Sequence, residues 1–232
     1  MKNCTQLLAI TSFLTSAGAA QAGINLINNG TFETGLGGWF AANQLGSDGS
    51  FLHQSGAISP VNGLSVQSPP QGLFAAMTDG GGPGSHVLYQ DFVIPSGVTN
   101  ALISFSLFVN NTATAFSTPT HLDFATTALN QQARVDVLTS TSNPFSTAAA
   151  DVLQNLFQTA VGSPLTTGYT SFTFDATALF AAHQGETVRL RFAEVDNVNI
   201  FNFGVDDISV VVPTPGSLLV LAPVCAVRRR RK

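Results

Sequence analysis

Two groups of oxygen-bearing side chains are the strongest chemical feature of this sequence. Asp206 and Asp207 are adjacent carboxylates at the end of an apolar run, and such charges repel each other unless a cation or hydrogen bonds offset them. The second group is formed by Glu194, Asp196, Asn197 and Asn199. Hard cations such as Ca²⁺ take oxygen ligands. The second group fits a cation, an arginine partner, the wall of a sugar cleft or a polar turn at a strand end.

Aromatic rings are the other candidates for ligand contact. Tyr89 and Tyr169 have rings that can stack on sugars, and Tyr89 is a weak ligand-binding candidate beside Glu194, Asp196 and Asn197. The four histidines show no close pair spacing, and we predict surface or locally bonded positions for them. They are His53, His86, His121 and His183.

Catalytic motifs are absent from the sequence. It contains no G-x-S-x-G, H-E-x-x-H, P-loop or G-x-G-x-x-G segment. The carboxylate pair of a glycoside hydrolase is defined by its distance in space and has no fixed spacing in the sequence. Any two of the thirteen acids could form such a pair, so a hydrolase remains an alternative.

Short apolar runs between turn clusters must position these residues, and this pattern predicts an all-β sandwich. We predict strands at 24–28, 39–42, 73–78, 87–94, 101–110, 133–139, 169–175, 187–195 and 204–212. In the strand at 187–195, Val188, Leu190 and Phe192 alternate with Arg189 and Arg191, so the arginines are expected on the polar face. Glu194 continues the apolar series and is expected to point inward.

One inserted helix is predicted at 147–160. Val152, Leu153, Leu156 and Phe157 follow helical spacing, and Gly162 follows as a stop signal. A second, shorter turn is expected at 177–183, and glycine-rich residues 79–84 are expected to form a loop.

The two ends of the chain differ from its middle. Residues 1–22 carry Lys2, an apolar stretch and a small-x-small site at 20–22, which favours a signal peptide over a buried N-terminal helix. Residues 213–232 combine a Pro-Gly break, a short apolar run and a basic cluster. Residues 23–212 then form one domain with three arginines, no lysine and thirteen acids, a net charge of −10. This charge argues against nucleic acid as a partner. Both cysteines lie in the ends, so the domain has no disulfide and no Cys-ligated zinc.

Two stretches that bracket the domain resemble galactose-binding-like carbohydrate-binding modules. The first is residues 25–33, N-L-I-N-N-G-T-F-E, followed by Gly38-Trp39, and the second is residues 203–210, F-G-V-D-D-I-S-V. The resemblance implies an all-β jelly-roll β-sandwich with adjacent first and last strands, and a structural core position for Trp39. It also implies a structural Ca²⁺ held by Glu33 and by Asp206 or Asp207, together with main-chain carbonyls. Strand parity places Asp206 on the side of Ile208 and Val210, which are expected to face the core. The alternative is a pair of solvated acids, with Glu33 bonded to backbone amides.

The C-terminal segment resembles the PEP-CTERM sorting signal of exported bacterial proteins. Pro213, Thr214 and Pro215 fill the motif after Val212, with Thr214 where the signal has glutamate, and the basic cluster is Arg228, Arg229, Arg230 and Arg231. The resemblance implies cleavage by an exosortase-type membrane protease. The apolar part, residues 216–227, would span about 18 Å as a helix, too short for a permanent anchor, so we expect a transient membrane anchor.

These features together predict an exported, cell-surface or extracellular-matrix protein that binds polysaccharide without catalysis. Two alternatives remain. One is a structural or adhesive matrix protein without sugar specificity, and the other is a glycan hydrolase.

Overall fold

The computed structural model describes residues 23–78 and 80–213. Eleven strands and one short helix form along the chain: β1 (Gly23–Asn25), β2 (Phe40–Asn43), β3 (Leu52–Ser55), β4 (Phe74–Thr78), β5 (Gly84–Val93), β6 (Leu102–Asn111), β7 (Gln132–Thr139), β8 (Val152–Gln158), β9 (Thr166–Asp175), α1 (Thr177–Ala182), β10 (Thr187–Asp196) and β11 (Phe201–Pro213). The signal peptide, the cysteines and all of the sorting tail after Pro213 lie outside the described residues. No helix within the described residues is long and apolar enough to cross a bilayer.

The strands form two antiparallel sheets. The six-stranded sheet has the order β3-β4-β11-β6-β9, with β1 paired to β11, and the five-stranded sheet has the order β2-β5-β10-β7-β8. From β4 to β7, successive strands alternate between the two sheets, as in a jelly-roll sandwich. The predicted adjacency of the first and last strands is confirmed, since Gly23 pairs with Pro213 and Asn25 with Val211.

One apolar core fills the space between the sheets. Ile103 and Phe105 reach it from the six-stranded sheet, and Leu190 and Phe192 from the five-stranded sheet. The Phe105 and Phe192 rings meet edge to face with centroids 5.5 Å apart, an arrangement that aromatic pairs favour. The alternation in the strands therefore divides each sheet into a core-facing and an outer face.

The helix prediction at 147–160 is wrong, because the apolar part of this stretch is the edge strand β8. Two register shifts against β7 leave Leu153 and Leu156 as extra residues, each a β-bulge. Each bulge resets the strand's alternation, so Leu153, Leu156 and Phe157 all reach the core at spacings that imitate a helix. The structure's single described helix is α1, where the shorter turn was predicted, and its Phe180 is buried against Phe92.

A bulge in β11 overturns the predicted orientation of Asp206. Asp206 pairs with Ser106 but Ser209 pairs with Ser104, so β11 contains one extra residue at Asp207. Asp207 takes a left-handed backbone with φ of 51°. Val205 and Ile208 both face the core across this bulge, and Asp206 lies on the outer face. It is nevertheless fully buried, because the connection between β3 and β4 covers that face.

Candidate functional site

The outer face of the five-stranded sheet carries the arginines of the domain. Arg189 and Arg191 lie on it, opposite the core residues Leu190 and Phe192, which confirms the parity read from the sequence. Both side chains are nevertheless buried. The cause is the segment 140–146, which connects β7 to β8 and folds back over the sheet.

The two arginines hold this segment by its main chain. Arg189 donates to two of its carbonyls at 2.8 and 3.0 Å, and Arg191 to two more at 2.8 and 2.6 Å. The acceptors are the carbonyl oxygens of Ser140, Ser142, Pro144 and Ser146. Every second carbonyl thus points to the sheet, and the segment forms a fixed wall.

Carboxylates compensate the arginine charges from the sheet itself. Arg189 makes a bidentate pair with Asp91 at 2.7 and 2.9 Å. Asp136 receives two bonds from Arg134 at 2.7 and 2.6 Å, a contact from Arg191 and an amide bond from Asn155 at 2.8 Å. Burial by itself would raise the pKa of Asp136, but the bonds and charges of Arg134 and Arg191 outweigh it and hold this pKa below its usual range.

A second wall comes from the long connection between β6 and β7. Gln44 donates to Asp123 at 2.5 Å and accepts from the backbone N–H of Phe124 at 3.4 Å, so one amide clamps this loop at two points. Asn130 donates to the Asp123 carbonyl at 2.9 Å, and Gln132 donates to the His121 carbonyl at 3.0 Å. These buried amides fix a loop that has no strand partner along most of its length.

An open cavity of about 330 Å³ lies between the two walls. Its lining is Gln44, His121, Leu122, Asp123, Asn143 and Phe145. Its base is apolar, because Leu122 packs with Val87, Ala193 and Val195 of the sheet.

An aromatic row lies on the same face, beside the cavity. Phe40 and Tyr89 are cross-strand partners whose rings stack with centroids 5.4 Å apart at 21°. The Arg189 guanidinium lies 4.1 Å from the centre of the Tyr89 ring. Tyr89 is thereby engaged by both neighbours, whereas Phe40 remains 61% exposed. Tyr89 and Phe145 pack against the same small apolar cluster, which joins the row to the cavity. We call this surface the aromatic–polar site; it consists of Phe40, Tyr89, His121, Asp123, Asn143 and Phe145.

The aromatic–polar site is acidic. Hydrogen bonds from the Gln44 amide and the Ala125 N–H lower the pKa of Asp123, so its carboxylate is charged at neutral pH. Both bonds go to Oδ1, and within the described residues Oδ2 accepts none. The Asp123 carboxylate is therefore an acceptor available to a hydroxyl group.

The predicted calcium ligands lie elsewhere, on the outer side of the six-stranded sheet. Glu33 Oε1 accepts from the N–H groups of Leu73 and Phe74 at 2.9 and 3.1 Å. Asp206 accepts from the N–H groups of Gln71 and Asp207 at 3.3 and 2.7 Å. Burial comes first among the causes that raise the pKa of Asp206 to about 7, and the charges of Asp207 and Glu33 add to it. The three carboxylates therefore influence one another.

The donor set fits a hard cation in part. The negative charge on Asp206 is disfavoured, and a cation nearby would reverse that. Within the described residues, however, no three side chains of His, Cys, Asp or Glu are grouped so that they could hold a metal. A Ca²⁺ ion beside Asp206 would take most of its oxygens from main-chain carbonyls and water.

The other ligand-binding candidates lie apart from the aromatic–polar site. Glu194 is buried and stands opposite His86 at the core-facing end of β10, as its parity predicted. Asp196 accepts from the Gly84 N–H at 3.0 Å and borders a separate polar cavity of about 180 Å³. Asn197 follows β10 and bonds to the β6–β7 connection, where it donates to the Ala128 carbonyl at 2.8 Å. Of the four candidates, only Tyr89 belongs to the aromatic–polar site.

The remaining aromatic residues fill structural positions. Trp39 is buried against Phe32 and Phe192, and its indole N–H donates to the Asn29 carbonyl at 3.0 Å, so its predicted core position is confirmed. Tyr169 donates its hydroxyl to Gln54 at 2.9 Å beneath the β3–β4 connection. All four histidines have local partners: His53, His86 and His183 bond nearby groups, and His121, which borders the cavity, accepts from the Asp123 N–H through Nδ1 at 3.3 Å.

Sequence patterns did not predict most residues of the aromatic–polar site. Phe40 follows the core residue Trp39 directly, so strand alternation alone would have placed it on the outer face. His121, Asp123, Asn143 and Phe145 lie in loops without periodicity. These four residues come close to one another only because buried arginines and amides hold their loops over the sheet. A short-range sequence pattern does not predict such long-range bonds.

No protein-family model and no curated protein matches this chain. Among solved structures, the K3 cleaved adhesin domain of Lys-gingipain from Porphyromonas gingivalis is 13% identical over 82% of this chain and 99% of that chain, with a TM-score of 0.47. The module TmCBM61 in complex with β-1,4-galactotriose is 11% identical over 81% and 97%, also with a TM-score of 0.47. A Stig cyclase from Fischerella is 15% identical over 83% and 100%, with a TM-score of 0.43. At this distance, function has to be argued from the residues of the chain itself.

Proposed function

We propose that the domain is a non-catalytic module that binds polysaccharide at the aromatic–polar site. The observation that carries this proposal is the exposed Phe40 ring, stacked on Tyr89, on the same sheet face as an open cavity with fixed walls. An exposed ring offers a stacking surface for the apolar face of a sugar. Hydroxyl groups would then meet Asp123, Asn143 and His121. Rigid walls favour binding, because little conformational entropy is lost when the ligand arrives.

The carboxylates near the site favour binding over hydrolysis. A glycosidase needs one carboxyl with a raised pKa as general acid. At this site the pKa of Asp123 is lowered, and Asp91 is held in a bidentate pair by Arg189. Neither group suits the acid role.

Binding of the full chain to a glycan array tests the proposal. We expect selective binding to a subset of glycans, and Phe40→Ala should weaken it about tenfold or more, equal to about 1.4 kcal/mol. Phe40→Trp should retain binding, because it keeps a stacking ring.

Val161→Ala is the matched control, since Val161 is 77% exposed and lies away from the site. Equal binding to all glycans, unaffected by Phe40→Ala, would instead favour the structural or adhesive matrix protein. Release of reducing sugar from a bound polysaccharide would favour the hydrolase.

We further propose that a structural Ca²⁺ supports the fold beside Glu33, Asp206 and Asp207. The support is the buried carboxylate of Asp206 with two further acids acting on it. The ion would connect the turn after β1 to the last strand, near both ends of the domain. The ion has no part in ligand binding in this proposal.

The ends of the chain suggest how the protein is delivered. We propose export through the signal peptide at 1–22, transient anchoring by residues 213–232 and release by an exosortase-type protease to the cell surface or extracellular space. Mass spectrometry of the mature protein tests this. A chain from native cells that begins after Ala22 and lacks Arg228–Lys232 is expected, and an intact basic cluster would contradict the sorting proposal.

A further inference from the structure

We propose that the glycan bound at the aromatic–polar site is a neutral saccharide, and that Asp123 sets the preference against uronic acids and other anionic sugars. This inference rests on the proposed function and specifies its ligand class. Three observations carry it: the commitment of every arginine, the charge of Asp123, and the kind of hydrogen-bonding groups at the cavity.

The first observation concerns the positive charges of the domain. Residues 23–213 contain three arginines and no lysine. Arg134 and Arg191 share the buried carboxylate of Asp136, and Arg189 is held by Asp91 and two main-chain carbonyls. All three are at most 7% exposed. Recognition of a sugar carboxylate or sulfate normally uses the fork of an accessible arginine, and these three guanidinium groups are buried and already paired with carboxylates.

The second observation concerns the charge at the cavity. Asp123 lines it and is ionised at neutral pH for the reasons given above. The other titratable group in the lining is His121, and the domain as a whole carries a net charge of −10. An anionic sugar would meet a like charge at the site and a repulsive field on approach.

The third observation concerns hydrogen bonding. Asp123 Oδ2 is an acceptor with no donor among the described residues, so it can accept an O–H or N–H group of a ligand in place of water. The Asn143 carboxamide accepts from the Phe145 N–H through its oxygen, and its amino group can donate to a sugar oxygen. Hydroxyl groups satisfy both residues, since each hydroxyl can donate and accept. An ionised carboxylate can only accept, so it cannot donate a hydrogen bond to Asp123 and would repel it if it took the place of a hydroxyl group.

Pairs of ligands whose main difference is the charge at one sugar carbon test this inference. Binding of the full chain should be measured for glycans in matched neutral and anionic forms, such as methyl-esterified and de-esterified polygalacturonate, glucan and glucuronan, and mannan and mannuronan. The basic cluster at the C-terminus would attract anionic polymers, so a second version should carry glutamine at positions 228–232. The comparison should be made both with and without EDTA, because a divalent cation can bridge Asp123 to an anionic sugar and EDTA would also remove the proposed structural Ca²⁺.

We expect a neutral form to bind at least ten times more tightly than its anionic counterpart at low salt, with the difference shrinking as salt rises. Asp123→Asn removes the charge and should reduce the ratio of the affinity for the neutral form to that for the anionic form. Asn143→Asp adds a charge and should increase this ratio, which keeps the test decisive if Asp123→Asn fails to fold. Phe40→Ala should weaken binding of the neutral form.

Two results would overturn the inference in different ways. If an anionic form binds the tail-neutralised chain more tightly than its neutral partner, and Phe40→Ala abolishes that binding, glycan binding stands and the neutral preference is wrong. If no neutral or anionic glycan binds, the proposed function fails, and the inference fails with it.

Discussion

Asp136 shows at the scale of single residues how the domain uses its few basic groups. It is fully buried, and both Arg134 and Arg191 direct their guanidinium groups to it. Buried charges are expensive to remove from water, and such a cluster is stable only when each charge keeps its partners. Arg191 also holds a wall of the aromatic–polar site through the Pro144 and Ser146 carbonyls, so one carboxylate serves the fold and the site together.

We predict that Asp136→Asn destabilises the domain by about 3–5 kcal/mol at pH 7, because two buried arginines lose their counter-charge. Urea denaturation at pH 7 measures this. Glu186→Gln is the control: Glu186 forms a largely exposed pair with His183, and its loss should cost less than about 1 kcal/mol. Equal effects of the two substitutions would contradict the importance of the buried cluster.

The ionisation of Asp136 also predicts how the stability of the domain depends on pH. The pKa of Asp136 in the folded state lies below the ordinary value of 3.8, so the folded state holds this proton more weakly than the unfolded chain. The stabilisation is therefore complete above about pH 5 and is lost as the pH falls through the folded pKa. Urea midpoints between pH 2 and pH 7 should fall steeply at the acid end. Asp136→Asn should flatten that part of the curve, and an unchanged slope would contradict the assignment.

At the scale of elements, the segment 140–146 is held by arginine side chains where a strand would be held by its neighbours. Its backbone forms two turns, closed by the Ser142 and Ser146 N–H groups, and guanidinium groups bind the carbonyl oxygens of every second residue. Asn143 and Phe145 lie between the bonded residues and line the cavity. The segment thus presents every second side chain to the site while its backbone stays fixed.

We predict that Arg189→Met loosens this segment without unfolding the domain. Asp91 has a side chain that is 32% exposed, so water can solvate it once its partner is removed. Backbone amides at 140–147 should exchange with solvent at least about tenfold faster, since local opening would require less free energy. Hydrogen exchange measures this, with amides at 66–74 as the internal reference. Uniform acceleration over both segments would instead indicate global destabilisation.

At the scale of the whole molecule, the two outer faces of the sandwich carry separate candidate sites. The five-stranded sheet carries the aromatic–polar site, and the six-stranded sheet carries the three predicted calcium ligands. One apolar core lies between them. Calcium removal should therefore change stability, while its effect on glycan binding should follow only from that stability.

We predict that EDTA lowers the melting temperature of the protein and that Ca²⁺ restores it. At a Ca²⁺ concentration 100 times the Kd, binding adds about 2.7 kcal/mol, which is a shift of roughly 5–10 °C for a domain of this size. Asp206→Asn should remove the response. In EDTA this variant should be at least as stable as the wild type at pH 8, because it no longer buries a disfavoured charge. Asp175→Asn, at an exposed position, should keep the full response. An identical wild-type melt with EDTA and with Ca²⁺ would rule out the site.

The sequence by itself determined the features that depend on neighbouring residues and on composition. Period-2 alternation was sufficient to place Arg189 and Arg191 opposite Leu190 and Phe192, and most strand positions followed from apolar runs between turns. The net charge of −10 for residues 23–212 also required no structure. These properties are local or additive, so they can be read without knowing which strands meet.

Tertiary structure alone decided the rest. Bulges in β8 and at Asp207 reset the alternation, and a bulge depends on the register of the paired strand, which no local pattern contains. The aromatic–polar site joins Phe40, His121 and Asn143 from distant parts of the chain. These residues lie on one sheet face because buried arginines and amides hold two irregular loops over it. Such hydrogen bonds exist only once the sandwich has formed.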